Sequence, residues 1–201
     1  MKTLIILDMQ NDFMPKGALE VPNSDSIIPV INDSLVKFDL IVATQDWHPA
    51  NHKSFASNHP GKKPFEKNIV HGVEQTLWPD HCVQGTWGAE FHPDLETRPI
   101  EVIFRKGMDV DRDSYSGFRD NYSKKSTGLA GYLHEKGVKE LYFCGLCADI
   151  CVYYTIKDAI KEGFNCCLIE DATCPLDRVR FQKIKTELLQ QGVDILKSGE
   201  I

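Results

Sequence analysis

Six side chains in this sequence are of types that could do chemistry together: Asp8, Asp46, His48, His81, Lys106 and Cys151. Cys151 lies in Glu140–Gly163, where a short apolar run (Leu141, Tyr142, Phe143) meets a glycine turn at Gly145 and then a helical pattern. That places the thiol near a helix N-terminus, where unpaired N–H groups and the positive end of the dipole favour thiolate over thiol. A strand, a turn and a helix that hold a nucleophile over N–H donors are what acyl transfer requires. An isolated cysteine is ordinarily a small buried hydrophobe, so this reading needs support from elsewhere in the chain. A rival also sits in the same stretch. Cys144-Gly145-Leu146-Cys147 is a C-x-x-C between strand and helix, the pattern of a dithiol redox protein.

Asp46 and His48 are two residues apart, and in extended chain such residues point the same way. They could offer an oxygen and a nitrogen to one ion, with His81 as a third ligand brought back by a long loop. Two imidazoles and a carboxylate leave coordination positions open, which suits one catalytic divalent metal: Zn²⁺, or Fe or Mn. His52 is a further candidate ligand. The alternative is that these histidines only hydrogen-bond the loop together.

The elements that must position these groups follow from the apolar pattern. Thr3–Leu7 and Leu40–Thr44 read as buried strands, followed by Asp8 and by Asp46. Asn23–Asp25 reads as a capping cluster for a helix through Ile27, Ile28, Ile31 and Leu35, with Pro29 in its first turns. Between His48 and Ile100 no strand or long helix is evident, and five of the seven histidines follow His48 there. A connection this long suggests a functional loop or small subdomain, at about 46–100. Glu101–Phe104 reads as a third strand, running into Lys106. Ser126–Lys136 reads as a helix with Leu129, Tyr132 and Leu133 inward. In the helix after Gly145, Ile150, Tyr153, Tyr154, Ile156, Ala159 and Ile160 recur at helical spacing, with Asp149 in the first turn. Phe164–Ile169 and Val193–Leu196 complete the strands, separated by a helix over Arg178–Gln190 with Val179, Ile184 and Leu188 inward. Strands alternating with helices imply a single α/β domain over residues 1–201 with a mainly parallel sheet. Ligands of such sheets bind beyond the carboxyl ends of the strands, which is where Asp8, Asp46, Lys106 and the turn to Cys151 all fall.

Bulk properties narrow the field. The 201 residues are 42% hydrophobic and 26% charged, an ordinary globular composition. A net charge of −6, with no run of more than two basic residues, argues against nucleic acid or a membrane surface as partner. The run Leu4–Leu7 is too short for a signal-peptide core and no span is long enough to cross a bilayer. Seven cysteines with no export signal suggest reduced thiols and a cytoplasmic location. No G-x-G-x-x-G follows the first strand, which counts against a dinucleotide-binding module.

Taken together, Asp8-Met9-Gln10-Asn11-Asp12-Phe13, Thr44-Gln45-Asp46-Trp47-His48-Pro49, Trp78-Pro79-Asp80-His81-Cys82-Val83, Lys106-Gly107, Tyr115-Ser116-Gly117-Phe118 and Gly145-Leu146-Cys147-Ala148-Asp149-Ile150-Cys151-Val152 resemble the nicotinamidase/pyrazinamidase branch of the isochorismatase-like cysteine hydrolases. The resemblance implies a three-layer fold around a six-stranded parallel sheet. It implies a catalytic Asp8, Lys106 and Cys151, and a metal on Asp46, His48 and His81. It also implies hydrolysis of nicotinamide, and of pyrazinamide, in NAD salvage. In that family an oxyanion N–H comes from the position of Cys147, often across a cis peptide, here Leu146–Cys147. Phe13, Trp78 and Tyr115 are the candidate aromatic walls of the substrate site. The chain departs from the family in having Cys147 where alanine is usual and Ala148 where threonine is frequent. Isochorismatases themselves cleave a vinyl ether without the cysteine, so Cys151 and the Asp/His loop count against that activity. Whether the chain forms a homo-oligomer is not written in the sequence.

Overall fold

An apolar run with no polar alternation has to be covered on both faces. The first strand, β1 (Lys2–Leu7), meets that condition: Leu4, Ile5, Ile6 and Leu7 are fully buried. The computed structural model describes residues 1–122 and 125–201. The other strands are β2 (Leu40–Asp46), β3 (Lys67–Val70), β4 (Val73–Thr76), β5 (Val102–Lys106), β6 (Glu140–Gly145), β7 (Asn165–Thr173) and β8 (Asp194–Leu196). The α-helices are α1 (Ile27–Ser34), α2 (Leu129–Glu135), α3 (Tyr153–Lys161) and α4 (Arg178–Gln190). Six strands form one parallel sheet in the order β5-β2-β1-β6-β7-β8.

Successive side chains of a strand point to opposite faces, and the core divides accordingly. Leu4 and Ile6 face a cluster with Ile27, Ile28, Ile31 and Leu35 of the α1 region. Ile5 and Leu7 face Leu129, Leu133, Ile156, Phe181, Ile184 and Leu188, contributed by α2, α3 and α4. The result is the expected three-layer arrangement, with helices on both faces of the sheet. From β1 the chain builds outward to β2 and β5. It then returns to β6 on the other side of β1 and builds toward β8. The crevice between β1 and β6 is therefore the point where strand order reverses, the place such sheets use for ligands. Among the described residues no helix is long and apolar enough to cross a membrane.

Several local expectations are corrected. The 48–100 segment does contain strands: β3 and β4 pair antiparallel across His71-Gly72. Both turn residues have positive φ (49° and 80°), the geometry of a tight hairpin turn. Their exposed, mixed residues do not alternate cleanly, so the sequence there carries no strand pattern. Asn23 is not a side-chain cap; it adopts a left-handed conformation ahead of a 3₁₀ turn at Ser24–Ser26. Helix α2 starts only at Leu129, after Gly128 (φ 95°). Tyr154 and Val179 are exposed, whereas Phe181 is buried. In α4 the apolar stripe thus runs through Phe181, Ile184 and Leu188, three and four residues apart. Strand β7 runs on past the expected Ile169 through Glu170–Thr173.

Candidate active site

The register of the sheet brings the sequence-distant groups together. Asp46 and Lys106 are partners at the ends of β2 and β5. Neighbouring strands lie only about 5 Å apart, so the two side chains meet. Lys106 Nζ lies 2.6 Å from Asp46 Oδ1 and 2.8 Å from Asp8 Oδ2. It also donates to the Ser114 carbonyl at 3.0 Å and to Cys151 Sγ at 3.5 Å. The lysine side chain is wholly buried. Although burial disfavours its charge, Asp46 and Asp8 raise its pKa well above the ordinary value. A buried ammonium is tolerated only with such partners.

Asp8 follows β1 in a left-handed conformation (φ 47°), rare outside glycine and frequent at functional sites. Its Oδ1 accepts from Thr44 Oγ1 at 2.6 Å. Burial raises the Asp8 pKa, and Lys106 offsets part of that rise. For Asp46 burial works in the same direction, but Lys106 and His48 overcome it and hold the carboxyl well below the usual range.

Cys151 belongs to a π-helical turn, Ala148–Val152, that leads into α3. The helix therefore begins with a widened turn, not the plain α-helical turn expected. Gly145 ends β6 with φ 99°, and a side chain there would strike the Leu7 carbonyl at 2.2 Å. The Leu146–Cys147 peptide is cis. Among the described residues the Cys147 N–H has no backbone acceptor. The expectation of a depressed thiol pKa is not met. Burial pushes the Cys151 thiol well above its ordinary value, and Lys106 lowers it only in part. The resting group is a thiol that needs a base, and the carboxylates of Asp8 and Asp46 have oxygens within 4.8 Å of it and of each other.

Asp46, His48 and His81 also offer ligand atoms within 4.8 Å of one another, all from buried residues. His48 Nδ1 lies 2.8 Å from the Gly107 carbonyl. A carbonyl only accepts, so Nδ1 carries a proton, and Nε2, 3.6 Å from Asp46 Oδ1, is the atom left to face an ion. That Nε2 is buried without a hydrogen-bond partner among the described residues. His81 Nδ1 makes the same kind of bond to the Pro79 carbonyl at 2.8 Å, freeing its Nε2. Burial and the neighbouring His48 lower His81 to about 4, which keeps it neutral near pH 7. An orphaned imidazole nitrogen, a second freed one and an ionised carboxylate fit a divalent cation. His52 is different: Nδ1 meets Ser54 Oγ at 2.7 Å and Nε2 meets the Arg112 carbonyl at 3.1 Å. Both nitrogens are engaged, so it holds the loop.

Residues to which the sequence assigned no role, most of them inside the motifs quoted above, hold this arrangement in place. Gln10 clasps the backbone of Asp46, donating to its carbonyl at 2.8 Å and accepting from its N–H at 2.8 Å. Asp12 accepts from the Cys82 N–H at 2.7 Å, fixing the residue after His81. Gly107 (φ 65°) lies so close under His48 that a Cβ there would come within 2.3 Å of the ring. Thr44 and the Ser114 carbonyl complete the surroundings of Asp8 and Lys106. Phe13, Trp78 and Tyr115 do converge, lining one small cavity with His81, Cys147 and Cys151. Trp78 and Tyr115 meet edge to face, with centroids 6.3 Å apart. Cys144, by contrast, is buried at the end of β6 with its sulfur toward the Ile5 carbonyl. Burial raises its pKa. It lacks the access that a redox dithiol needs.

A doubly wound sheet with cysteine, carboxylate and amine at its switch point defines a hydrolase site, and the chain belongs to the isochorismatase family, whose domain it matches over residues 2–200. It is 47% identical over 199 residues to the nicotinamidase of Acinetobacter baylyi, covering 98% of this chain and 93% of that protein. Among solved structures, an Acinetobacter baumanii nicotinamidase/pyrazinamidase superposes with a TM-score of 0.95 at 45% identity, over 99% of this chain and 97% of that one. A Pyrococcus horikoshii pyrazinamidase in complex with zinc superposes with a TM-score of 0.81 at 40% identity, over 98% of each chain.

Proposed function

We propose that this protein hydrolyses nicotinamide to nicotinate and ammonia, and accepts pyrazinamide, through a thioester on Cys151, in NAD salvage. The observation that carries the reading is the single ammonium of Lys106 touching Asp8, Asp46 and Cys151 at once. Asp8 takes the thiol proton as sulfur attacks the carboxamide carbon. The raised pKa of Asp8 makes it a stronger base than an exposed carboxylate. Lys106 stabilises the negative charge that develops on sulfur. The N–H groups of Cys147 and Cys151 are assigned to the oxyanion, each worth about 3–4 kcal/mol at such sites. Asp8 then passes its proton to the leaving ammonia, and afterwards activates the water that hydrolyses the thioester.

Asp46, His48 and His81 would hold the cation, which we take to be Zn²⁺ (Fe or Mn being the alternatives). When bound it would supply a Lewis acid for the ring nitrogen. Phe13, Trp78 and Tyr115 hold the flat ring in place, which orients the carbonyl toward Cys151. In this reading residues 1–201 act as one domain, and the 46–100 stretch is its ion-holding part. The test is ammonia release from nicotinamide by the wild type, Cys151→Ala and Asp8→Asn. Both variants should be inactive and folded. Substantial turnover by Cys151→Ala would rule out the covalent route.

A further inference from the structure

The mechanism leaves one buried carboxylate of the cavity unused. Asp113 lies on the loop after β5 and lines the same cavity as Cys151 and Trp78. Its Oδ2 accepts from Trp78 Nε1 at 3.1 Å and from Gln75 Nε2 at 2.9 Å. Its Oδ1 accepts from the Ser114 N–H at 2.8 Å, and the Ser114 carbonyl in turn accepts from Lys106. Gln75 is the buried residue of β4, and its amide also reaches the Tyr115 hydroxyl at 3.4 Å. One side chain thus joins the indole wall, the β3–β4 hairpin and the loop that holds the catalytic amine.

We propose that Asp113 is the positioning residue of the aromatic slot: it fixes the plane of Trp78 relative to Lys106 and Cys151, and so determines how tightly a flat heteroaromatic carboxamide is held. An indole has two side-chain torsions, and edge contacts with Phe65 and Tyr115 restrain it on its faces without engaging its N–H. A carboxylate on the ring N–H stops rotation about those torsions, and hydrogen bonds to charged acceptors are the stronger kind. Asp113 also lies within 4.8 Å of ring nitrogens of His48 and His52, so an effect through the ion has to be distinguished.

The experiment compares the wild type with Asp113→Ala, Asp113→Asn, Trp78→Phe and the Asp113→Ala/Trp78→Phe double variant. It measures kcat and KM for nicotinamide, bound metal by elemental analysis, and the rate at which iodoacetamide alkylates Cys151. Asp113→Ala should raise KM about tenfold, the scale of one charge-assisted hydrogen bond, with kcat changed far less. Metal content and alkylation rate should match the wild type. Asp113→Asn, which keeps one acceptor oxygen but not the charge, should recover part of the loss. The loss in the double variant should be smaller than the product of the two single losses, because the Trp78–Asp113 bond is broken in both. The proposal is overturned by an unchanged KM, by additive effects in the double variant, or by a loss that tracks reduced metal or slower alkylation. If Asp113→Ala does not fold, Trp78→Phe carries the test alone, since it keeps a ring and loses the N–H. An unaltered KM in that variant overturns the proposal equally. The inference rests on the nicotinamide reading, whose failure would appear as an inactive wild type, whereas failure of the Asp113 anchor appears only among the variants.

Discussion

Replacing Lys106 by methionine keeps most of the side-chain volume and removes the charge together with the N–H groups that reach Asp8, Asp46, Ser114 and Cys151. The ammonium stands 3.5 Å from Cys151 Sγ, inside a site with no exposure on the lysine. With an effective dielectric of about 20, a unit charge at that distance stabilises a thiolate by roughly 5 kcal/mol, equivalent to three or more pKa units. Asp8 and Asp46 would also lose their counter-charge, and rearrangement around them would return part of this. A fall of about a thousandfold in thiolate population near pH 7 is therefore expected. The assay is iodoacetamide alkylation of Cys151 followed by peptide mass spectrometry across a pH series, with circular dichroism as the check on folding. The wild-type profile should lie at lower pH and the Lys106→Met profile well above it. Equal rates and equal pH midpoints in the two folded proteins would refute the electrostatic role given to Lys106. A folded Lys106→Met variant should also be destabilised by about 3–5 kcal/mol in denaturant titration, the usual cost of an uncompensated buried charge.

Other outcomes can be checked as directly. Dialysis against a chelator should lower nicotinamide turnover and weaken substrate binding in calorimetry; unchanged affinity in the stripped protein would count against ring orientation by the ion. His48→Ala and His81→Ala should purify with less bound metal than His52→Ala, by elemental analysis. Gly107→Ala should act like a ligand substitution, because the new methyl would displace the His48 ring and the positive φ is strained; normal metal content would contradict this. Asp8 must be ionised to act as base, and burial raises its pKa, so activity should be lost as pH falls through a value above the ordinary carboxylate range. The same raised pKa means Asp8 binds more protons folded than unfolded, so its contribution to stability declines as pH rises through that window. Asp46, with its pKa lowered, contributes stability that is full above the ordinary carboxylate range and is lost progressively as pH falls below it. A pH–rate profile with an acid limb near 4 would contradict the Asp8 part.

The sheet was legible because its inner strands are written as apolar runs, clearest in β1 and β2, and all six strands appear within a few residues of where the sequence puts them. Asp8, Asp46, Lys106 and Cys151 were legible for a related reason. A charged or nucleophilic side chain directly after such a run lies at the ligand-binding edge of the sheet. The supporting residues, even those inside the quoted motifs, show no such sign of their roles. Thr44 looks like the last residue of a strand, Gln10 like loop, and the Ser114 contact is made by a carbonyl that any residue would supply. Asp113 stands in a loop without periodicity, and only the fold brings Trp78 and Gln75 to it. The thiol pKa was misread because the sequence reveals the neighbouring helix end and amine, whereas the depth of burial that outweighs them appears only in three dimensions. The hairpin was missed because its strands pack too little apolar surface to leave a pattern.

Asp46 is a member of two assemblies at once. Its Oδ1 is the shortest contact of Lys106, and its carboxylate is also one of the three ion-holding groups. The nucleophile half and the ion half of the site are therefore not separable modules. A designer wishing to change the bound metal, or to transplant the cysteine machinery onto another scaffold, would have to move both halves together. Any ligand change at position 46 would be felt by the sulfur two strands away.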